Sequence, residues 1–97
     1  MPTFSFTTRA KRDFQALTTT EQQRFRQVVV HQFVPGLKAG SFRPGLRVKG
    51  IQGARGIYEM TWAPDGRATW QYGKQQRPGE AHIIWRRIGG HRIFSGP

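Results

Sequence analysis

Side chains alternate between apolar and polar from Tyr58 to Tyr72, and this alternation constrains the fold more than any other feature of the sequence. Successive side chains of a β-strand point to opposite faces of a sheet, so a period of two predicts strands over residues 57–62 and 67–72. The residues between them, Ala63-Pro-Asp-Gly66, have the chemistry of a hairpin turn. One face of the hairpin would carry Tyr58, Met60, Trp62, Ala68, Trp70 and Tyr72. The other face would carry Glu59, Thr61, Arg67, Thr69 and Gln71.

Two amphipathic helices upstream of the hairpin are predicted to cover its apolar face, because such a face needs a second layer. The first helix would begin at Thr7 or Thr8 and run to about Thr18. Thr20-Glu-Gln-Gln23 has the spacing of a capping box for the second helix, which Pro35-Gly36 would end. Its core face would consist of Phe25, Val28, Val29 and Phe33.

Three further strands complete the predicted domain, over residues 3–6, 47–51 and 81–88. Residues 73–80, which include Pro78-Gly79, would form a longer loop. The predicted element order is β-α-α-β-β-β-β. The fold class is therefore α+β, with a two-helix hairpin packed on one face of a twisted, mostly antiparallel four- to five-stranded sheet. The length of 97 residues fits a single domain, residues 1–97, with one modest core.

The charge balance favours a polyanionic partner. The chain has 16 Lys and Arg against 5 Asp and Glu, a formal net charge of +11. Nucleic acid fits this excess best, because arginine, the commoner of the two cations, binds phosphate with two donors and stacks on bases. The alternative is a basic surface that is merely solvated.

The absence of cysteine excludes disulfides and thiolate metal sites and agrees with a reducing cytoplasm. The three histidines, His31, His82 and His91, do not have metal-ligand spacing, so no metal or other cofactor is expected. We expect His31 and His82 to be ordinary surface residues. No signal peptide or apolar span is visible, so the sequence predicts a cytoplasmic protein without a membrane partner.

The polar face of the hairpin carries the candidate chemistry. Glu59 and His91 can exchange protons, and Arg67 can neutralise charge that builds on a phosphate in a transition state. Each also has a structural explanation. Glu59 could pair with Arg67 or Lys49, Arg67 could form a cross-strand salt bridge, and His91 could be an ordinary surface histidine.

Taken in order, these motifs resemble the RelE/ParE superfamily of bacterial toxin–antitoxin toxins over nearly the whole chain. The motifs are Lys49, Gly56-x-Tyr-Glu-x-x-Trp62, Gly66-Arg67 and Ile88-Gly-x-His91-x-x-Phe94. The resemblance implies a compact toxin that enters the ribosome and cuts mRNA without a metal, using the RNA 2′-hydroxyl as nucleophile. It leaves the oligomeric state of the toxin alone open, and we expect a monomer. It also implies an acidic cognate antitoxin that wraps the toxin.

The resemblance also implies roles for individual residues. Arg67 matches an arginine that contacts the scissile phosphate, Lys49 matches a basic residue of the preceding strand, and His91 falls where members place a histidine or arginine. Phe94 lies near a tyrosine common in the ribonuclease members and lacks its hydroxyl, so it could stack on a base but not transfer a proton. This departure leaves Glu59 and His91 as the only proton carriers. The missing hydroxyl also leaves two alternative functions open: a ParE-like toxin that inhibits DNA gyrase, and a non-catalytic basic RNA-binding module.

The predicted site therefore has a catalytic part and a binding part. The catalytic part is Glu59, Arg67 and His91, and the RNA- or phosphate-binding part is Lys49, Arg47, Arg86, Arg87, Trp85 and Phe94. Arg86 and Arg87 are consecutive, so a regular strand would turn only one of them to the polar face. With Ile84 and Ile88 in the core, that face would receive Trp85 and Arg87, and a bulge would reverse the assignment. Trp62 and Trp70 are expected in the core, and Trp85 is expected to stack on a base.

Overall fold

The alternating hairpin lies at the centre of a five-stranded sheet in the computed structural model, which describes residues 1–97. The strands are β1 (Thr3–Phe6), β2 (Lys49–Ile51), β3 (Ala54–Thr61), β4 (Arg67–Arg77) and β5 (Glu80–Gly89). Their order across the sheet is β1-β5-β4-β3-β2. Strand β1 is parallel to β5 and all other neighbours are antiparallel, so the predicted α+β class and element order are confirmed.

The helices pack on one face of this sheet. They are α1 (Thr8–Ala16), α2 (Thr19–Val28) and α3 (Val34–Ala39), with a π-helical turn (Val29–Phe33) that joins α2 to α3. The capping box of α2 is formed by Thr18 and Glu21, not by the predicted Thr20 and Gln23. A 3-10 turn (Pro44–Leu46) precedes β2, and a second one (His91–Ser95) follows β5.

The predicted helix end at Pro35-Gly36 is wrong, because the helix continues to Ala39 and ends at Gly40 with φ 76°. In the π turn the backbone N–H of Val34 bonds the carbonyl of Val29, five residues back. Such a turn is wider than an α-helical turn and changes the hydrogen-bond ladder just where the proline ring would clash with it. Pro35 is therefore accommodated inside a continuous helix.

The core lies between the helices and the sheet and contains the predicted set of Phe25, Val29, Phe33, Met60 and Trp70. Trp85 is at its centre. Its ring centroid lies 5.2 Å from that of Phe25 and 5.1 Å from that of Phe33. Aromatic pairs of this kind contribute about 0.5–1.5 kcal/mol each beyond their burial. Because Trp85 is only 1% exposed, the prediction that it stacks on a base is wrong.

A β-bulge at Arg86 explains the position of Trp85. Thr69 pairs with Arg87 and Trp70 pairs with Trp85, so Arg86 is an extra residue between the two pairs. The bulge shifts the alternation of β5, and Ile83, Trp85 and Ile88 all become buried. It also brings both arginines to the polar face, where a regular strand would have placed one.

Three other boundaries differ from the prediction. Arg47 lies outside β2 because its φ of 48° is in the left-handed region, which a strand residue does not adopt. Strands β4 and β5 extend through the predicted loop 73–80 as a hairpin arm that turns at Gly79. The predicted surface position of His82 is wrong: its ring is buried, and its two nitrogens bond the hydroxyls of Thr3 and Ser5 at 2.7 and 3.1 Å. None of the helices is long and apolar enough to cross a membrane.

Candidate nucleic-acid site on the polar face of the sheet

The polar face brings residues from four strands into one line. This cross-strand row consists of Lys49 on β2, Glu59 on β3, Thr69 on β4 and Arg87 on β5, each opposite the next. Neighbouring strands lie about 4.8 Å apart, so the row spans roughly 15 Å. The antiparallel register therefore places a basic residue at each end and the predicted base, Glu59, between them.

Glu59 is held by an ion pair within this row. Its Oε1 lies 3.3 Å from Lys49 Nζ, and the lysine side chain is 71% exposed. No hydrogen bond or salt bridge joins Glu59 to Arg67. An ion pair with such an exposed partner contributes about 1 kcal/mol or less, so a ligand phosphate could take the lysine from Glu59 at little cost.

Arg67 lies one step along the sheet, opposite Thr61 and Gly89, and clamps the hairpin turn. Its Nη1 donates to the carbonyls of Ala63, Pro64 and Gly66 at 3.3, 3.2 and 2.9 Å. Its Nε and Nη2 have no protein acceptor. The turn thus fixes one edge of the guanidinium and leaves the other donors for a ligand.

His91 meets the same turn from the other side. Its Nδ1 lies 2.9 Å from Asp65 Oδ1, and both side chains are largely exposed. A carboxylate only accepts, so Nδ1 carries the proton and Nε2 is left free. The hydrogen bond from His91 lowers the pKa of Asp65 below its ordinary value, and the charge of Arg67 lowers it further. The ring of Phe94 contacts the imidazole edge-on, with centroids 5.9 Å apart.

These contacts define a turn cluster, which consists of Asp65, Arg67 and His91. Asp65 is not predicted from the sequence, because aspartate in a Pro-Asp-Gly turn is ordinary turn chemistry and no local pattern links it to a residue 26 positions later. The predicted catalytic residues do not form one set of contacts. Arg67 and His91 share the turn cluster, whereas Glu59 belongs to the cross-strand row.

The polar face is also crossed by the chain's own C-terminal segment, His91–Pro97. The backbone oxygen of Pro97 accepts from Thr69 Oγ1 at 3.0 Å and from Arg86 Nε at 3.2 Å. The carbonyl of Gly96 accepts from Arg87 Nη1 at 2.8 Å. Thr69 is fully buried as a result.

Arg87 also forms an ion pair with Asp13 on α1. Its Nε lies 2.7 Å from Asp13 Oδ2, and the two side chains are 16% and 19% exposed. The same carboxylate oxygen accepts from the backbone N–H of Ile88 at 3.0 Å. Arg87 therefore joins helix to sheet in addition to any role toward a ligand.

A groove of about 960 Å³ opens beside the turn cluster, between α1, α2, the hairpin turn and the C-terminal segment. Arg9, Arg24 and Arg92 line it without a carboxylate partner. The groove thus offers guanidinium groups beside Asp65 of the turn cluster, which also lines it. Elsewhere, no three His, Asp or Glu side chains come together as metal ligands would.

Comparison with known proteins identifies this architecture. No protein-family model and no curated protein sequence matches the chain. Among solved structures, a YafQ mutant from E. coli aligns with a TM-score of 0.71 at 10% identity over 99% of this chain and 100% of that one. A YoeB/ParE toxin from Agrobacterium tumefaciens aligns with a TM-score of 0.66 at 11% identity over 92% and 98%. RelE in the RelB–RelE antitoxin–toxin complex from Methanococcus jannaschii aligns with a TM-score of 0.60 at 14% identity over 93% of each chain. The chain has the fold of RelE/ParE-superfamily toxins of toxin–antitoxin systems.

Proposed function

We propose that this protein is the toxin of a toxin–antitoxin pair and that it cuts mRNA on the ribosome. The observation that carries the proposal is the turn cluster, where an imidazole oriented by a carboxylate lies at the same turn as an arginine with unused donors. A general acid next to a phosphate-binding cation is what phosphodiester cleavage requires. The shared fold with toxins of this kind supports the same reading.

In the proposed reaction the 2′-oxygen attacks the adjacent phosphorus in line with the leaving 5′-oxygen. Glu59 accepts the 2′-hydroxyl proton, and Nε2 of protonated His91 donates a proton to the 5′-oxygen. The new O2′–P bond and the broken P–O5′ bond leave a 2′,3′-cyclic phosphate and a 5′-hydroxyl. Arg67 would neutralise the non-bridging oxygens, with Lys49 at the rim.

Typical rate factors indicate how much each group would contribute to cleavage. A positioned acid or base contributes about 10²–10⁴-fold, and a preorganised donor to the transition state about 10²–10³-fold. Since Glu59 and the turn cluster are not in contact, the ribosome must order the mRNA between them. Cleavage of free RNA should therefore be feeble.

The partners follow from the charge. With +11 on 97 residues, the toxin should bind ribosome-held mRNA in the cytoplasm and be neutralised by an antitoxin segment rich in Asp and Glu. Association with that antitoxin should be fast and should weaken with salt. The solved structures of YafQ and RelE with their antitoxins, DinJ and RelB, support a partner of this class.

A ParE-like toxin that inhibits DNA gyrase is the second candidate. Two observations favour it: Phe94 has no hydroxyl, and Glu59 is engaged with Lys49 away from His91. A protein that only binds its target has no need for the two proton carriers to be in one place.

The deciding experiment compares His91→Ala and Arg67→Ala with the wild type in a cleavage assay with ribosomes and mRNA. His31→Ala and Arg12→Ala are matched controls, because both side chains are exposed on the helices. Each variant is first checked for folding by thermal melting. If Arg67→Ala does not fold because the hairpin turn needs a cation, Arg67→Lys, which keeps the charge, is tested in its place. We expect losses of about 10²-fold or more for the site variants and none for the controls.

Two outcomes would contradict the proposal in different ways. Folded His91→Ala and Arg67→Ala that cut at the wild-type rate would reject the site. A wild type that never cuts ribosome-bound mRNA, but whose induction blocks replication with intact mRNA, would reject the nuclease and select the gyrase inhibitor. Mapping 5′ ends of cellular mRNA after induction separates the two in vivo.

A further inference from the structure

Gly90 joins β5 to the 3-10 turn at the place where Asp65 comes closest to the backbone. A β-carbon on Gly90 would lie 2.6 Å from Asp65 Oδ2 and 3.4 Å from Asp65 Cγ. Atoms that are not bonded to each other pack at a separation of about 3.5–4.0 Å. Any side chain at position 90 would therefore overlap with the place that the Asp65 carboxylate occupies.

The backbone at Gly90 does not itself require glycine. Its φ of −100° and ψ of −166° are extended values that other residues adopt. The three atoms nearest to the added β-carbon all belong to Asp65. At the neighbouring Gly89 the added β-carbon would meet only the Ile93 side chain, at 3.1 Å. The Asp65 carboxylate is thus the group that keeps position 90 free of a side chain.

The Asp65 carboxylate has little else to hold it in place. Its only side-chain partner is His91, whose Nδ1 lies 2.9 Å from Oδ1, and the Asp65 side chain is 82% exposed. The pKa of Asp65 is lowered by the imidazole of His91 and, to a smaller extent, by the backbone N–H of the same residue. These contacts place the carboxylate against the backbone of residues 90–91. An exposed side chain of this kind would rotate away if that space were filled.

We propose that Gly90 is a positioning residue: because it has no side chain, the Asp65 carboxylate can reach His91 and hold the imidazole proton on Nδ1. Nε2 is then the nitrogen that remains for a ligand. The role of Nε2 as proton donor to the leaving 5′-oxygen rests on the proposed function. The placement of the proton on Nδ1 does not, and it can be measured without cleavage.

Gly90→Ala should move the carboxylate and leave the backbone where it is. The carbonyl of Gly90 accepts from the backbone N–H of Ile93 at 3.1 Å, and Ile93 is only 3% exposed, so the 3-10 turn is anchored in the protein. The pair that would be lost joins two exposed side chains and contributes little to stability. We therefore expect Gly90→Ala to lose the bond between Asp65 and His91 while Tm changes by roughly 5 °C or less.

The test is nitrogen-15 NMR of the imidazole rings in the whole 97-residue chain at about pH 8, where an ordinary histidine is neutral. In the wild type His91 should carry its proton on Nδ1. In Gly90→Ala it should change to the Nε2–H tautomer, which an imidazole side chain favours in water. Gly89→Ala is the matched control and should keep the wild-type tautomer. In an acid titration of the same samples, the Asp65 carboxylate should have a pKa closer to that of an ordinary aspartate in Gly90→Ala than in the wild type.

A double-mutant cycle with Asp65→Ala tests whether Gly90 acts through the carboxylate. Gly90→Ala by itself should lower cleavage of ribosome-bound mRNA about tenfold, as loss of the carboxylate should. In the Asp65→Ala background it should change neither the tautomer nor the cleavage rate any further, because the space beside position 90 is then empty. If Gly90→Ala by itself does not fold, the double variant should recover the Tm of Asp65→Ala for the same reason.

The other outcomes overturn the proposal or its link to the reaction. An Nδ1–H tautomer that persists in Gly90→Ala, or a wild-type His91 that carries its proton on Nε2, would reject the positioning role. An equal effect of Gly90→Ala with and without Asp65, or a double variant that stays unfolded, would show that position 90 acts on something other than the carboxylate. A changed tautomer with unaltered cleavage would exclude Gly90 from the reaction. If the wild type never cuts ribosome-bound mRNA, the nuclease proposal fails, and the NMR result decides the role of Gly90 by itself.

Discussion

The ion pair between Asp13 and Arg87 should be the most costly polar interaction to remove from this protein. Asp13 Oδ2 accepts from Arg87 Nε at 2.7 Å and from the Ile88 N–H at 3.0 Å, and Oδ1 lies 3.4 Å from Arg87 Nη2. Asp13→Ala removes the carboxylate that accepts from the Arg87 guanidinium and from the backbone N–H of Ile88. Breaking a fully buried pair costs about 3–5 kcal/mol, and an unsatisfied buried donor about 1–3 kcal/mol. Since both side chains keep some exposure, we expect a loss of about 2–3 kcal/mol.

The assay is thermal and urea unfolding followed by circular dichroism. In a domain of this size each kcal/mol lowers Tm by about 4–8 °C, so Asp13→Ala should melt roughly 10–20 °C below the wild type. Asp13→Asn, which keeps an acceptor for the Ile88 N–H, should lose about half as much free energy of unfolding. Glu59→Gln is the contrast: its partner Lys49 is mostly exposed, so it should lose less than about 1 kcal/mol. An Asp13→Ala loss no greater than that of Glu59→Gln would refute the reasoning that burial makes this pair matter.

Three further predictions concern the hairpin turn and Tyr72. Asp65→Asn should lower the proposed ribosome-dependent cleavage about tenfold or more and change its pH profile, because the His91 imidazole loses its carboxylate acceptor. Tm should stay nearly unchanged. An unaltered pH profile would mean that Asp65 does not position His91 as the acid. Burial, and to a smaller extent Tyr58, raise the pKa of the Tyr72 phenol. The folded state therefore resists ionisation of Tyr72. Its contribution to the free energy of unfolding is fully present below the ordinary tyrosine pKa and is lost as the pH rises through the pKa of the folded state. In Tyr58→Phe, where Tyr72 is the only tyrosine, phenolate absorbance should titrate above pH 10, and titration at the ordinary tyrosine pKa would contradict this. Gly66→Ala should cost about 1–3 kcal/mol in urea unfolding, because its Cβ would lie 2.7 Å from an indole ring, whereas Gly45→Ala, with open space around it, should cost less than half as much.

The faces of the central hairpin could be predicted from the sequence because pleating fixes them. Met60, Ala68 and Trp70 are buried as the period of two requires, and Glu59 and Arg67 lie on the other face. The same rule failed in β5, where one extra residue shifts the period and puts Trp85 in the core. A bulge is set by the pairing of two strands, and the sequence of one strand does not reveal it.

The candidate site could be predicted only in part, because its decisive contacts join residues far apart in the chain. Arg67 and His91 are predicted from the polar residues near the hairpin and from the resemblance, since each matches a family motif. Asp65 is not predicted, because its contact with His91 depends on a 3-10 turn that brings His91 back to the hairpin. The ion pair of Asp13 with Arg87 spans 74 positions, and no local pattern marks it.

The pairing of the first strand with the last has a consequence for how the protein is made. Thr3–Phe6 align in parallel with residues 82–85, so the sheet joins positions 79 residues apart. Contacts of such long range are slow to form, and here they cannot begin until the final strand has been synthesised. His91, Gly96 and Pro97 come later still, so a nascent chain carries neither a complete sheet nor a complete polar face. The sheet and the polar face can therefore be completed only once residues 91–97 have been synthesised.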